Sequence, residues 1–239
     1  MKLLIYGHQT KDIVELAESA GFDVVNDIYQ VKKPFDEAGN PNLVVASYGG
    51  DGTFMKAEEK YPGVPKLAIR RSRICKLCSN LPTEEIFRKL FIGEYIIKEE
   101  LKIEAVFEGV KIVGFNEIIV HNIDPRRAIR YEIFVNGKKV GHEIIGDGLV
   151  VSTPHGSTGY YRSITDSFFE VGIGVAFNNS TEQSDHIVLK ECSEIVVKII
   201  RGKAVVYADN SDKEIILDDG HEILIRRHIN NAKMIKFVK

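Results

Sequence analysis

The chain has 239 residues, 44% hydrophobic and 28% charged, a composition typical of a globular protein with a sizeable core. Its formal net charge of −2 lacks the basic surplus of a dedicated nucleic-acid binder, so we expect no nucleic-acid partner. No apolar stretch approaches the roughly 18 residues of a membrane helix, and three cysteines do not make a disulfide framework. We therefore expect a cytoplasmic protein with no membrane partner.

Strands and helices alternate in the first part of the chain. Short apolar runs predict strands, and apolar residues at helical spacing predict helices. The predicted strands are Lys2–Tyr6, Phe22–Val25, Leu43–Ser47 and Pro65–Ile69, and the helices are one from Thr10 to Gly21, Thr53–Tyr61 and Thr83–Phe91. We expect Thr10 and Thr83 to act as N-caps. This alternation predicts a small doubly wound α/β domain over residues 1–96.

Beyond the expected boundary near residues 94–98, the sequence becomes rich in β-type runs. Asn136-Gly137 between two of them is a strong hairpin signal. The predicted strands are Leu101–Phe107, Ile112–Val120, Ile129–Val135, Val140–Ile145, Glu194–Ile200, Ala204–Tyr207, Glu214–Leu217, His221–Ile225 and Lys233–Val238. We interpret Pro154–Thr165 as a functional loop. Residues 97–239 are therefore predicted to form a β-sandwich-like C-terminal domain, which makes the fold class α/β plus all-β.

The motif GGDGT, residues 49–53, directly follows a predicted strand and precedes a helix. That places it at the carboxyl edge of the sheet, where doubly wound proteins bind ligands. Glycines let backbone N–H groups approach phosphate oxygens, and the helix N-terminus favours negative charge. Asp51 in this setting can accept a proton from an attacking hydroxyl or help to hold a phosphate-bound Mg²⁺. The alternative is a tight glycine-rich turn with a solvated aspartate.

Two further segments carry polar groups suited to a nucleotide. Asn116-Glu117 lies among apolar strand residues, and both side chains can face one site only at a strand end or bulge. The segment Gly146–Tyr160, GDGLVVSTPHGSTGY, combines glycines with hydroxyl side chains, which together can hold a nucleotide closely.

Read in order, GGDGT, the Asn-Glu pair and the Gly146–Tyr160 segment resemble the NAD kinase family. These enzymes phosphorylate the 2′-hydroxyl of the adenosine ribose of NAD. The GGDG element alone is shared with lipid kinases, whereas the longer segment is far more specific. The resemblance implies NAD and ATP or polyphosphate as substrates, Mg²⁺ or another divalent metal with ATP, and a homo-oligomer (dimer or tetramer). We predict no metal site made by the protein's own residues.

The resemblance also implies roles for individual residues. Asp51 matches the family's catalytic aspartate. The phosphate or donor site would include Gly49, Gly50, Gly52 and Thr53, to which we add Arg70. The NAD site would include Asn116, Glu117, Asp147, His155, Thr158, Gly159, Tyr160 and Asp209.

The chain departs from the family between Arg70 and Cys78. A glycine-rich loop is usual there, whereas this chain has Arg70, Arg71 and Arg73. The arginines either clamp phosphates or form a solvated basic loop. Cys75-x-x-Cys78 lacks the further ligands of a structural zinc, and we interpret the pair as incidental.

Three hypotheses follow from these features. The first is an ATP-dependent NAD kinase. The second is a lipid or small-molecule kinase sharing GGDGT. The third is a non-catalytic NAD(P)-binding protein whose altered Arg70–Cys78 loop has lost turnover.

Overall fold

The computed structural model describes residues 1–27, 35–37, 39–181 and 185–237. The chain divides into two compact units, one of Met1–Glu100 with Asn231–Lys239 and one of Leu101–Asn230. Each unit has its own hydrophobic core. Among the described residues, no helix is long and apolar enough to cross a membrane.

The first unit begins with alternating strands and helices, as the sequence predicts. Strands β1 to β4 are parallel and lie in the order β2-β1-β3-β4. The elements are β1 (Lys2–Gly7), α1 (Lys11–Ser19), β2 (Asp23–Val25), β3 (Leu43–Gly49), α2 (Asp51–Lys60), β4 (Lys66–Arg70), α3 (Thr83–Phe91) and β5 (Ile96–Glu100).

Helices cover both faces of this sheet, which confirms the doubly wound arrangement. Ile13 of α1 and Phe87 of α3 pack with Leu3 on one face. Ala57 of α2 packs with Leu4 on the other. The expected N-caps differ in detail: Thr10 and Pro82 are the cap residues, Thr83 is the first residue of α3, and neither cap makes a side-chain hydrogen bond.

The second unit is built from antiparallel strands and confirms the sandwich-like domain. Its two sheets have the orders β10-β9-β14-β17-β6-β7 and β13-β12-β11-β8-β15-β16, and one apolar core draws residues from both. The strands are β6 (Ile103–Phe107), β7 (Val110–Gly114), β8 (Glu117–Asn122), β9 (Ile129–Val135), β10 (Lys138–Gly146), β11 (Gly148–Ser152), β12 (Ile173–Asn178), β13 (His186–Leu189), β14 (Ile195–Arg201), β15 (Ala204–Ala208), β16 (Glu214–Leu217) and β17 (Glu222–Arg227).

Two predictions in this unit were wrong. The apolar run Ile112–Val120 is not one strand, because the chain leaves the first sheet after β7 and enters the second at β8. The segment Pro154–Thr165 is not a plain loop: it contains a 3₁₀ turn, Gly156–Thr158, and a short helix, α4 (Tyr160–Thr165).

The last described strand, β18 (Ala232–Lys236), returns to the sheet of the first unit. It pairs antiparallel with β5 and parallel with β4. The sequence predicts a domain boundary between residues 96 and 97. In the structure the first unit instead runs to Glu100 and also includes the chain from Asn231 onward. Alternating burial identifies a strand but not the sheet it joins. Val238, the end of the predicted strand, lies outside the described residues.

Candidate functional site

The GGDGT motif forms the turn between β3 and α2, as predicted. β3 ends at Gly49 and α2 begins at Asp51. The strand order reverses direction between β1 and β3, and open α/β sheets bind ligands at such switch points. A Cβ on Gly49 would overlap the side chain of Thr53, and one on Gly50 would lie 3.0 Å from the Cβ of Ser72. Packing within the turn therefore demands glycine at position 49 and leaves little room at position 50.

Asp51 is held by the backbone of a distant loop. Its Oδ1 accepts the N–H groups of Lys76 at 2.9 Å and Leu77 at 3.0 Å, and its Oδ2 accepts that of Lys76 at 3.1 Å. A carboxylate oxygen has about two lone-pair sites, so Oδ1 is fully used by these amides and Oδ2 retains capacity for one further donor. The two amides fix the orientation of the carboxylate at the start of α2. Nothing in the sequence pattern indicated this contact.

The loop that supplies these amides is tied back to the turn. The carbonyl oxygen of Gly49 accepts the N–H groups of Arg71 and Ser72 at 3.0 and 3.2 Å. Arg70 Nη2 donates to the carbonyl oxygen of Cys75 at 3.0 Å and to Asn80 Oδ1 at 3.2 Å. Arg70, predicted to bind the donor, thus braces the loop in this structure.

Arg71 links the loop to the end of β1. Its guanidinium donates to the carbonyl oxygen of His8 and to Gln9 Oε1, and it lies 5.6 Å from the ring centroid of Tyr48. Arg73 is exposed. Two of the three arginines therefore contact their own unit, at the switch point of the sheet.

Cys75 and Cys78 are joined in a disulfide. The interpretation of this pair as incidental was wrong. The two residues that the disulfide encloses, Lys76 and Leu77, are the ones whose amides bind Asp51. Among the described residues, no group of three or more His, Cys, Asp or Glu side chains is arranged to hold a metal ion.

In the second unit, Asp209 organises the segment between β7 and β8. Its Oδ2 accepts the N–H of Phe115 at 2.7 Å, and its Oδ1 accepts those of Asn116 at 2.8 Å and Glu117 at 3.0 Å. Asp209 follows β15, which pairs with β8, and it has a positive φ of 49°. The Asn-Glu pair therefore lies at a strand end, as its predicted shared site requires.

Glu117 is the first residue of β8, and its Oε2 is a buried oxygen with no hydrogen-bond partner. Burial raises the pKa of this carboxyl to about 8, and the negative charge of Asp209 acts in the same direction. At pH 7 the group is therefore mainly protonated and can donate a hydrogen bond.

The STPHG turn after β11 packs directly on this segment. Thr153 donates its N–H to the carbonyl oxygen of Asn116 and its hydroxyl to that of Phe115, both at 2.8 Å. His155 stacks on Phe115, with ring centroids 4.9 Å apart. A Cβ on Gly159 would lie 3.8 Å from Glu117 Oε2. The structure thus brings Asn116, Glu117, His155, Gly159 and Asp209 together.

Asp147 lies at the other end of β11. Gly148 pairs with His121 and Ser152 with Glu117, so Asp147 is roughly 13 Å or more along the strands from the Asn-Glu pair. Its carboxylate accepts N–H groups from Asn122 and Asn179, both at 3.0 Å.

Tyr160 is linked to the Asp147 end through Asn178. Its hydroxyl accepts a hydrogen bond from Asn178 Nδ2 at 3.1 Å, and the Asn178 carbonyl oxygen accepts the N–H of Asp147 at 3.0 Å. Thr158 donates its hydroxyl to the carbonyl oxygen of His155 at 3.4 Å. Asn178 and Asn179 were missed from the sequence because asparagines at a strand end carry no motif.

A glycine-rich strand-to-helix turn at the switch point of a doubly wound sheet, with an oriented carboxylate on the first helical residue, is typical of nucleotide-dependent phosphotransferases. Residues 115–237 match the family model of the ATP-NAD kinase C-terminal domain. This match spans more than half of the chain, and the chain belongs to the NAD kinase family.

Individual relatives agree with this assignment. The chain is 26% identical over 244 residues to the NAD kinase of Pyrococcus furiosus, covering 95% of this chain and 88% of that protein. Its fold is similar to that of an NAD kinase from Archaeoglobus fulgidus solved in complex with ATP, with a TM-score of 0.78, 22% identity, and coverage of 99% and 94%. It is also similar to yeast NADH kinase solved with NADH, with a TM-score of 0.82, 17% identity, and coverage of 100% and 84%.

Proposed function

We propose that this protein transfers the γ-phosphoryl group of ATP to the 2′-hydroxyl of the adenosine ribose of NAD, forming NADP. The observation that carries the proposal is the Asp51 carboxylate, held by two backbone amides at the start of α2. Phosphoryl transfer needs a correctly placed hydroxyl, and a fixed carboxylate can orient that hydroxyl or accept its proton. In this proposal Asp51 is the catalytic residue.

The donor phosphates are assigned to the turn after β3. Gly50, Gly52 and Thr53 lie at or near the N-terminus of the ten-residue helix α2, which favours negative charge. The Thr53 N–H donates to the carbonyl oxygen of Gly50 at 3.0 Å, so the hydroxyl of Thr53 is its proposed contact to a phosphate. The carbonyl of Gly49 holds the loop beside them, and Arg70 keeps that loop in place. The chemistry of this donor set accepts ATP and polyphosphate alike.

A divalent metal fits this site only as a partner of the nucleotide. Mg²⁺ is usually held by one or two carboxylates, waters and substrate phosphates, and the lone pair left on Asp51 Oδ2 could serve as one such ligand. When bound with ATP, Mg²⁺ supplies neutralisation of phosphate charge. The protein's own residues orient the hydroxyl and hold the phosphates.

The acceptor is assigned to the second unit. The protonated Glu117 can donate to a ribose or adenine acceptor, while the Asn116 amide can both donate and accept. The His155–Phe115 stack offers an aromatic surface to a base. Asp147 is proposed to bind the nicotinamide end of NAD. Tyr160, which is linked to Asp147 through Asn178, is proposed to line the adenine pocket. The remaining predicted contacts are Thr158, Gly159 and Asp209.

We further propose a cytoplasmic homo-oligomer, either a dimer or a tetramer. Two edge strands of the second unit expose apolar side chains, Val188 on β13 and Ile216 on β16. Exposed strand edges with apolar residues favour pairing between copies.

The test is an assay of purified protein with ATP, Mg²⁺ and NAD, in which NADP is measured directly. Parallel reactions replace ATP by polyphosphate and NAD by NADH, which identifies donor and acceptor. Asp51→Asn keeps the side-chain volume and should lower kcat by at least about a hundredfold. NAD binding by the wild type without NADP formation would instead support the non-catalytic NAD(P)-binding protein. Turnover of a lipid substrate alone would support the lipid kinase.

A further inference from the structure

The disulfide of the first unit encloses the residues that hold Asp51. Cys75 and Cys78 are bonded, and between them lie only Lys76 and Leu77, which donate their amides to the carboxylate. The closed four-residue loop and the Asp51 contact thus share the same backbone. A change in one alters the freedom of the other.

The two cysteines differ in exposure. Cys75 is buried, whereas Cys78 is half-buried and lies between buried Leu77 and half-buried Ser79, so Cys78 is the more accessible of the two to a reagent. Cys78 Sγ lies 4.0 Å from the carbonyl oxygen of Gly49, the same oxygen that accepts the N–H groups of Arg71 and Ser72. The disulfide therefore lies against the turn that precedes Asp51.

The disulfide is expected to add little to the overall stability of the fold. A disulfide stabilises mainly by restricting the unfolded chain, and a bond between residues three apart restricts very little of it. Disulfides inside cells are often catalytic or redox-sensing, except in hyperthermophiles. The consequence of this bond is local, and it falls on Asp51.

We propose that Cys75 and Cys78 form a reversible thiol–disulfide site that controls the orientation of Asp51. This inference rests on the proposed function, in which Asp51 is catalytic. The oxidised form, in which the loop is closed, is the active one. On reduction the loop opens, the amides of Lys76 and Leu77 leave their fixed positions, and turnover falls.

The chemistry requires a dithiol reductant. Its thiolate attacks Cys78 Sγ, which breaks the S–S bond, forms a mixed disulfide and releases Cys75 as a thiolate that takes up a proton. The second thiol of the reductant then closes on the first, which releases Cys78. Two electrons and two protons pass to the protein, and the reductant becomes a cyclic disulfide.

The decisive experiment uses thermodynamic linkage and needs no activity. The full chain carrying Cys192→Ser, which removes the exposed free cysteine, is equilibrated with dithiothreitol, and the two redox forms are counted by alkylation and mass spectrometry. If the disulfide and the Asp51 contact are coupled, Asp51→Ala must change the equilibrium constant for reduction, because coupling is reciprocal. We expect the disulfide to become about fivefold easier to reduce. Glu84→Ala, at an exposed position of α3, should leave the constant unchanged.

Two further measurements complete the test. Hydrogen exchange of residues 71–81 should become about fivefold faster on reduction, and kcat should fall about fivefold. Cys75→Ser/Cys78→Ser should show the low kcat with or without reductant. An equilibrium constant insensitive to Asp51→Ala, or a disulfide that dithiothreitol reduces only in the unfolded chain, overturns the inference. Absence of NADP formation by the oxidised protein overturns the proposed function, while the equilibrium constant still decides the coupling.

Discussion

The carboxylate of Asp209 accepts the backbone N–H of Asn116 at 2.8 Å, although 93 positions separate the two residues in the chain. Asp51 is bound in the same manner by the amides of Lys76 and Leu77. In each unit a carboxylate is thus hydrogen-bonded to the backbone of a turn that is remote in sequence. Charge-assisted bonds of this kind are stronger than neutral ones and define a single geometry for the polar groups around them.

Asp209→Ala should disturb both stability and acceptor binding. It leaves the amides of Phe115, Asn116 and Glu117 without their acceptor, and each buried unpaired donor costs about 1–3 kcal/mol. We expect urea unfolding to show a loss of about 3 kcal/mol and the KM for NAD to rise about tenfold. Glu170→Ala, at an exposed position, is the matched control. Unchanged stability would contradict the clamping role.

Local signals in the sequence predicted the elements around the first site. The apolar run at 43–47 followed by glycines fixed the place of Asp51, and helical spacing identified α3 with its observed bounds, Thr83–Phe91. The alternation of strands and helices also predicted the doubly wound sheet. Each of these features depends on neighbours in sequence.

Contacts between residues far apart in the sequence could not be predicted from these local signals. The Asn-Glu pair within the apolar run 112–120 allowed a strand end or a bulge, but no local signal indicated that Asp209 binds the chain at Asn116. The six residues of α4, Tyr160–Thr165, were not predicted as a helix because aromatic and β-branched residues have modest helix propensity, and the stability of α4 comes from packing of Tyr161 on the sheet. The loop amides that bind Asp51 carry no side-chain signature at all.

Glu117→Gln tests the protonation state of the buried carboxyl. Because the pKa is raised from 4.5 to about 8 on folding, the folded state holds a proton that the unfolded state releases. The contribution of Glu117 to stability therefore falls as pH rises between about 4.5 and about 8, and the loss is complete above that range. The glutamine mimics the neutral acid and cannot ionise.

We expect Glu117→Gln to match the wild type at pH 4 and to exceed its stability at pH 9 by about 5 kcal/mol. Urea unfolding at pH 4, 7 and 9 measures the difference, and Glu170→Gln serves as the exposed control. A difference independent of pH would show that Glu117 has an ordinary pKa.

Gly148→Ala should disrupt β11, the strand that lies between the two ends of the proposed acceptor site. Gly148 has a φ of +133°, and a Cβ there would overlap the carbonyl oxygen of Val120 on β8. Gly109→Ala is the matched control, since Gly109 also has a positive φ, +83°, but nothing within 4 Å of its Cβ position. We expect the control to lose about 1 kcal/mol and Gly148→Ala about 3 kcal/mol or more in thermal or urea unfolding. Equal losses would mean that backbone strain alone, and not the clash, requires glycine.

Arg73→Ala distinguishes a phosphate clamp from a basic surface loop. Arg70 and Arg71 donate to groups of their own unit, whereas Arg73 is exposed and leaves its guanidinium accessible to a ligand. If it binds the donor, its removal costs a charge-assisted hydrogen bond of about 1.5–3 kcal/mol, so the KM for ATP should rise at least about tenfold while that for NAD is unchanged. Arg126→Ala, an exposed arginine paired with Asp124, is the control for loss of charge. The same small change in both variants would identify the Arg70–Cys78 segment as a support for Asp51 and not as a phosphate clamp.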